Sequence, residues 1–306
     1  MHAPPHEPTL VGQRVLDVFR VEDELGRGGS GVVYRGTDLT SGMPVAIKTM
    51  LPDMKVPEMR ARFLREAEVQ LALNHPHLAA GIKAGTLPDG EPVLVTEFVE
   101  GETVYDAIYR GQKMTPRRAL IIARQVLMGL EYAHGRNVLH RDLKPENVLL
   151  IEQGHPGARF FHVKVIDFGL VTHVTDTGNH RFPTLTVSGF TVGTPGYMAP
   201  EQALGAELDQ RTDLYAVGTM IFEMMSRRLP FPEEDDGIRL QQMLSGAPPA
   251  LTDIKPGPWC TLPVEALLAR SLAASASHRF RDAHDMLQSV EGAFASLNHL
   301  PEDPPW

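Results

Sequence analysis

Apolar and polar positions divide the chain into two differently patterned stretches. Over 18–49 the pattern is β-like: Phe19-Arg20-Val21, glycine-rich punctuation, Val32-Val33-Tyr34-Arg35, a Thr40-Ser41-Gly42 turn, then Val45-Ala46-Ile47. This predicts a strand meander. Over 57–73, Phe63, Ala67 and Leu71 recur at helical spacing until Asn74-His75-Pro76 stops them, which predicts one helix. Residues 93–99 read as a buried strand, broken by Glu100-Gly101-Glu102, and the domain boundary is placed there. Beyond it, 119–134, 214–226 and 264–272 are predicted helices, and 148–151 is expected to pair with 160–166 across a Gly154…Pro156-Gly157 turn. The expected organisation is a flexible leader (1–14), a β-rich part with one main helix (15–99), a mainly helical part (100–297) and a Pro-rich tail (298–306). The fold class is α+β.

Composition narrows the function classes. The 306 residues carry a formal charge of -9 with a pI near 5.8, and no basic run is present, which argues against nucleic-acid partners. One cysteine, Cys260, excludes an intrachain disulfide framework and a multi-cysteine metal site, as befits a reducing compartment. The first residues lack an apolar signal region and the apolar runs are too short to span a bilayer, so a cytoplasmic protein is expected.

Three segments carry candidate chemistry. Gly26-Arg27-Gly28-Gly29-Ser30-Gly31-Val32-Val33 fits G-x-G-x-x-G-x-V, where missing Cβ atoms let backbone N–H groups approach phosphate oxygens. A dinucleotide-binding fold needs a helix at the third glycine, whereas Val32, Val33 and Tyr34 predict a second strand; a ligand-free glycine hairpin is the plain alternative. Val45-Ala46-Ile47-Lys48 puts a lysine on the next strand, able to meet phosphate oxygens and a helix glutamate, for which Glu66 and Glu68 compete. In His140-Arg141-Asp142-Leu143-Lys144-Pro145-Glu146-Asn147, followed by Asp167-Phe168-Gly169, Asp142 is suited to orient a substrate hydroxyl. Lys144 would neutralise a transferred phosphoryl group, and Asn147 and Asp167 would hold Mg2+, which accepts few carboxylates alongside phosphate oxygens.

Together with Ala199-Pro200-Glu201 and Asp213, these ordered motifs make residues 19–293 resemble the eukaryotic-like serine/threonine protein kinase family, most closely its bacterial branch. The resemblance implies a bilobal protein-kinase fold with ATP between a β-rich N-lobe and a helical C-lobe. It makes Glu66, nine residues before His75, the partner of Lys48. It assigns adenine contacts to Val33, Ala46 and Leu149, the gatekeeper to Thr96, and the hinge to 97–99, including Glu97 and Val99. It gives Asp213 the backbone of His140 and Arg141, pairs Glu201 with Arg279, and sets Thr194 beside Asp142 and Lys144. Thr186 and Ser188 become activation-segment phosphosites, modified in trans by another copy, with Arg141 as the phosphate's partner. The implied activity is transfer of the γ-phosphoryl group of ATP to Ser/Thr hydroxyls of proteins, with Mg2+ or alternatively Mn2+; the competing reading is a catalytically silent kinase-fold scaffold. Two departures stand out. Gln70 and Gly81 occupy positions where apolar side chains are usual in the family, predicting a loosely packed helix, and 151–161 makes an unusually long hairpin.

Overall fold

A computed structural model describes residues 10–28, 31–51, 57–110, 114–155, 158–167, 195–245 and 247–300. The chain forms two compact units, one running to Asn74 and resuming over Ala79–Val99, the other comprising His75–Leu78 and everything from Glu100.

In the first unit β1 (Arg14–Val15), β2 (Phe19–Gly28), β3 (Gly31–Asp38), β4 (Pro44–Thr49), α1 (Pro57–Ala72), β5 (Gly81–Thr86) and β6 (Pro92–Glu97) follow in order. The strands make one antiparallel sheet, β1-β2-β3-β4-β6-β5. Because side chains alternate along a strand, Val32, Tyr34, Val45, Ile47, Val93 and Val95 share one face, where they form a core with Val15, Phe19 and Val21. On α1, Phe63 and Ala67 are four residues apart and therefore share a stripe, which packs with Met50 and Leu94.

Two expectations change in this unit. Residues 10–14 are part of it, not a loose leader: Gly12 N–H donates to Val21 O at 2.9 Å, Val21 N–H to Gln13 O at 3.0 Å, and Arg14 pairs with Arg20. Backbone pairing with β2 requires no side-chain periodicity, so the sequence pattern was silent there. β5 also lacked a pattern, because it is built by close approach. A Cβ on Gly81 would lie 2.7 Å from Gln70 O, and one on Gly85 would lie 2.5 Å from the Leu16 side chain. Nor is Gln70 a packing defect. It is buried, and its Nε2 donates to Ala79 O, tying α1 to the segment entering β5. Gln70→Leu is therefore expected to lower stability by about 1–3 kcal/mol, the cost of a stranded carbonyl, rather than to tighten the helix. A denaturant midpoint equal to or above that of the parent would contradict this.

The second unit contains β7 (Glu102–Thr103), α2 (Val104–Tyr109), α3 (Pro116–His134), β8 (Val148–His155), β9 (Ala158–Val165), α4 (Pro200–Ala203), α5 (Gln210–Ser226), α6 (Asp236–Ser245), α7 (Leu251–Ile254), α8 (Leu262–Ser271) and α9 (Ala283–Ser296). Helix starts are capped as side-chain chemistry dictates: Thr115 accepts from Arg118 N–H, Asp209 from Arg211 N–H and Asp282 from Asp285 N–H. α5 is buried from Thr212 to Ser226 on every face, so it is the interior helix, against which α3 and α8 pack. The expected tail is partly held, since the Arg117 guanidinium donates to the carbonyls of Leu297 and Leu300. Among the described residues no helix is long and apolar enough to cross a membrane.

His75–Leu78 was expected within 15–99 but belongs to the second unit. Val165 N–H donates to His77 O at 2.9 Å, His77 Nδ1 meets Val163 O at 2.9 Å, and His162 Nε2 meets Pro76 O at 2.9 Å. The rings of His75 and Tyr132 stack at 5.1 Å, and His77 lies 4.6 Å from His162. Burial first, then the nearby charges of Arg136, His162 and Lys164, lower the pKa of His75; burial also dominates for His77, against the bond to Val163 O that raises it. The unfolded chain, with histidines near about 6.5, then binds protons more readily than the folded one. Stability should therefore decline as pH falls from about 6.5 through these lowered values. Thermal melts at stepped pH test this: His77→Gln should flatten the decline, and an unchanged slope would count against the cluster.

Candidate active site

On the first unit, alternation puts Val33, Ala46, Lys48, Leu94 and Thr96 on the face opposite the Val32–Ile47 core, with Val33 paired to Lys48, Lys48 to Leu94, and Ala46 to Thr96. Lys48 and Glu66 are both buried, at 8% exposure each, and Glu66 also accepts from Arg62 Nε at 3.2 Å. Glu68, its rival on α1, is exposed. Glu97 and Ala80 bond reciprocally, Glu97 N–H to Ala80 O at 2.9 Å and Ala80 N–H to Glu97 Oε1 at 2.8 Å, fixing the start of the 97–99 segment, which ends at half-buried Val99. The glycines differ in what they require. Gly31 has φ +143, and a Cβ there would lie 2.1 Å from Thr49 O, so the turn into β3 demands glycine. Around Gly26 and Gly28 a Cβ would meet nothing within 4 Å. Space alone therefore does not require glycine at either position.

In the second unit the loop after α3 is held by a buried carboxylate. Asp213, 1% exposed on α5, accepts from His140 N–H at 2.9 Å, Arg141 N–H at 2.8 Å and His134 Nε2 at 2.8 Å. Burial pushes its pKa up, yet the His134 bond, the charges of His134 and His140, and the Arg141 N–H outweigh that and hold the carboxyl below its usual range. Gln202 completes the clamp, donating to Arg141 O at 2.9 Å while its Oε1 accepts from Ala199 N–H at 3.0 Å. The clamp holds strain: Arg141 sits at φ 65 and Asp167 at φ 62, left-handed conformations that cost a non-glycine residue about 1–2 kcal/mol.

The clamp presents the polar groups that follow. Lys144 Nζ lies 3.3 Å from Asp142 Oδ2, each side chain 22% exposed, so both are reachable. Asn147 Nδ2 donates to Asp142 O at 2.8 Å, and Ile166 N–H donates to Asn147 O at 2.9 Å, which joins the loop to the residue preceding Asp167. With Nδ2 committed, Asn147 offers Oδ1 to a cation. Among the described residues no cluster of three or more His, Cys, Asp or Glu forms an all-protein metal cage. One amide and one carboxylate suit Mg2+, which retains waters and takes phosphate oxygens. Leu149, at 8% exposure, follows on β8, paired with Lys164. Glu201 and Arg279 form a bidentate pair at 2.6 and 2.8 Å.

These parts match a known arrangement: the protein kinase domain model fits residues 19–289. The chain belongs to the protein kinase domain family. This kinase-family chain is 37% identical to serine/threonine-protein kinase pkn3 of Myxococcus xanthus over 97% of its own length and 54% of that protein. It is 31% identical to serine/threonine-protein kinase PrkC of Bacillus subtilis, over 93% of the chain and 42% of the relative. It thus spans about half or less of the curated relatives' length. The crystal structure of the Mycobacterium tuberculosis PknI kinase domain aligns with a TM-score of 0.69 at 25% identity, covering 93% of this chain and all of that one.

Two buried polar positions beside these residues had no motif to announce them. His134 closes the third bond to Asp213, and its only sequence signal is its place at the end of the predicted helix. Glu223, buried on α5, accepts from Tyr109 and Tyr197 hydroxyls at 2.6 Å each. Burial raises the Glu223 pKa, against the lowering effect of those hydroxyls, and burial raises both tyrosines as well. Phe168, Gly169, Thr186, Ser188 and Thr194 lie outside the described residues.

Proposed function

We propose that this chain is a protein kinase transferring the γ-phosphoryl group of ATP to Ser or Thr hydroxyls of proteins. The observation that carries the reading is the clamped loop offering Asp142, Lys144 and Asn147 in one rigid frame, tied through Ile166 to Asp167. Asp142 orients the substrate hydroxyl and accepts its proton; Lys144 offsets charge on the moving phosphoryl group. Asn147 and Asp167 would hold Mg2+, with Mn2+ as the substitute, and the cation would supply neutralisation of phosphate charge. On the β-rich unit, Lys48, positioned with Glu66, takes phosphate oxygens beside the backbone of Gly26, Gly28 and Gly31. Val33, Ala46, Thr96 and the 97–99 backbone are the adenine-side groups. Catalysis is then by position and charge, with no covalent enzyme intermediate. Autophosphorylation at Thr186 and Ser188 by a second copy, and a cytoplasmic setting, belong to the same proposal.

Phosphosite mapping after incubation with Mg·ATP tests it. Phosphate should appear on Ser and Thr of an added protein and on Thr186 or Ser188. An active preparation with both sites unmodified would remove the autophosphorylation part. Complete lack of transfer would favour the silent scaffold.

A further inference from the structure

Within the first unit, Gln70 sits on α1 one turn beyond Glu66 and is 3% exposed. Its Nε2 donates to Ala79 O, while Ala80 N–H donates to Glu97 Oε1 at 2.8 Å. That carbonyl oxygen and that N–H belong to one peptide unit, which is planar, so its two polar edges cannot turn independently. Glu97 grips the next unit as well, its own N–H donating to Ala80 O at 2.9 Å. One peptide is therefore held by the helix at one edge and by the start of the 97–99 segment at the other.

The contacts that join α1 to the sheet constrain it differently. Phe63 and Ala67 pack with Leu94 on β6, a non-directional apolar contact that fixes burial but tolerates sliding along the helix axis. Arg60 Nη2 reaches Gly90 O from the end of a long side chain that can follow a shifted helix. The Gln70 bond is directional and made by a buried side chain, and a shift of about 1 Å would take it out of range. Gly81 removes any cushion beside it. A Cβ there would lie 2.7 Å from Gln70 O and 2.8 Å from Leu71 Cα, so helix backbone rests on strand backbone, and Gly81 in turn pairs with Thr96. An apolar side chain at position 70 would fill the space without setting this register.

We propose that Gln70 is a positioning residue for the nucleotide site. Through the Ala79–Ala80 peptide it registers α1, and Glu66 on it, to Thr96 and Glu97, so that nucleotide held at 97–99 stiffens the helix. The roles of Glu66 and of 97–99 are those of the kinase reading, on which this inference rests.

Hydrogen exchange of the full chain, read by mass spectrometry with and without saturating Mg·ADP, tests it. In the parent, ADP should slow exchange over 94–99 and, by about threefold or more, over 66–72 of α1. Gln70→Met keeps the length and bulk of the side chain but removes the donor; it should retain the slowing over 94–99 and lose it in α1. A role in stability alone would instead speed α1 exchange equally with and without ADP. In the transfer assay, kcat of the Met variant should fall about tenfold, with KM for ATP within about threefold of the parent. Gln70→Leu takes its place if the Met variant does not fold. An α1 that does not respond to ADP in the parent, or that responds equally in a folded Gln70 variant, would overturn the proposal. A parent that shows the α1 response yet transfers no phosphate would sink the kinase reading alone.

Discussion

Asp142→Asn lowers the rate of phosphoryl transfer to a Ser/Thr substrate by about 10²–10⁴-fold, the range expected when a positioned acid–base group is removed. The fold survives, because the loop is held by bonds this change leaves alone. Asp213 grips the His140 and Arg141 amides, and Asn147 Nδ2 reaches the backbone carbonyl of residue 142, not its side chain. Nucleotide affinity should therefore remain within about threefold, since an interaction confined to the transition state depresses kcat rather than ground-state binding. Labelled γ-phosphate transfer measures the first quantity and nucleotide titration the second. A loss of rate below about tenfold would show that Asp142 does not handle the hydroxyl, and would move the weight of the mechanism elsewhere.

Arg279→Leu costs about 3–5 kcal/mol, the range for breaking a buried ion pair by deleting one partner. The Arg279 side chain is fully buried and the Glu201 side chain 14% exposed. The guanidinium binds both Glu201 oxygens and the carbonyls of Ala273, Ala274 and Arg211, and lies 4.8 Å over the Tyr215 ring. Truncation removes all of these bonds at once and leaves Glu201 only the Thr212 hydroxyl, which donates to its Oε1 at 3.0 Å. Arg279→Lys should recover little, because an ammonium cannot reproduce the planar fork. Denaturant unfolding decides the matter, and a Lys variant within about 1 kcal/mol of the parent would mean that the geometry contributes little.

The proposed chemistry could be written down from the sequence because phosphate handling needs particular residue types at particular spacings. Gly26, Gly28 and Gly31, Lys48, and the run from His140 to Asn147 are written in the chain as such, as are the β-like alternation over 18–49 and the helix spacing of Phe63 and Ala67. Residues whose role depends on a distant partner were harder to find. His134 looks like any core-face helix residue until Asp213, seventy-nine positions away, meets it. Gln70 read as a gap in an apolar column because sequence gives residue type, not the carbonyl of Ala79 that the amide satisfies.

The sequence by itself determined the family and the strand and helix periodicities, and it supplied the residues proposed to handle phosphate, since these rest on local chemistry and fixed spacing. Only the tertiary structure decided that residues 10–14 join the sheet and that His75–Leu78 belongs with the helical unit. Each of those depends on backbone pairing or close approach between segments far apart in the chain, and neither leaves a periodic signature in side chains.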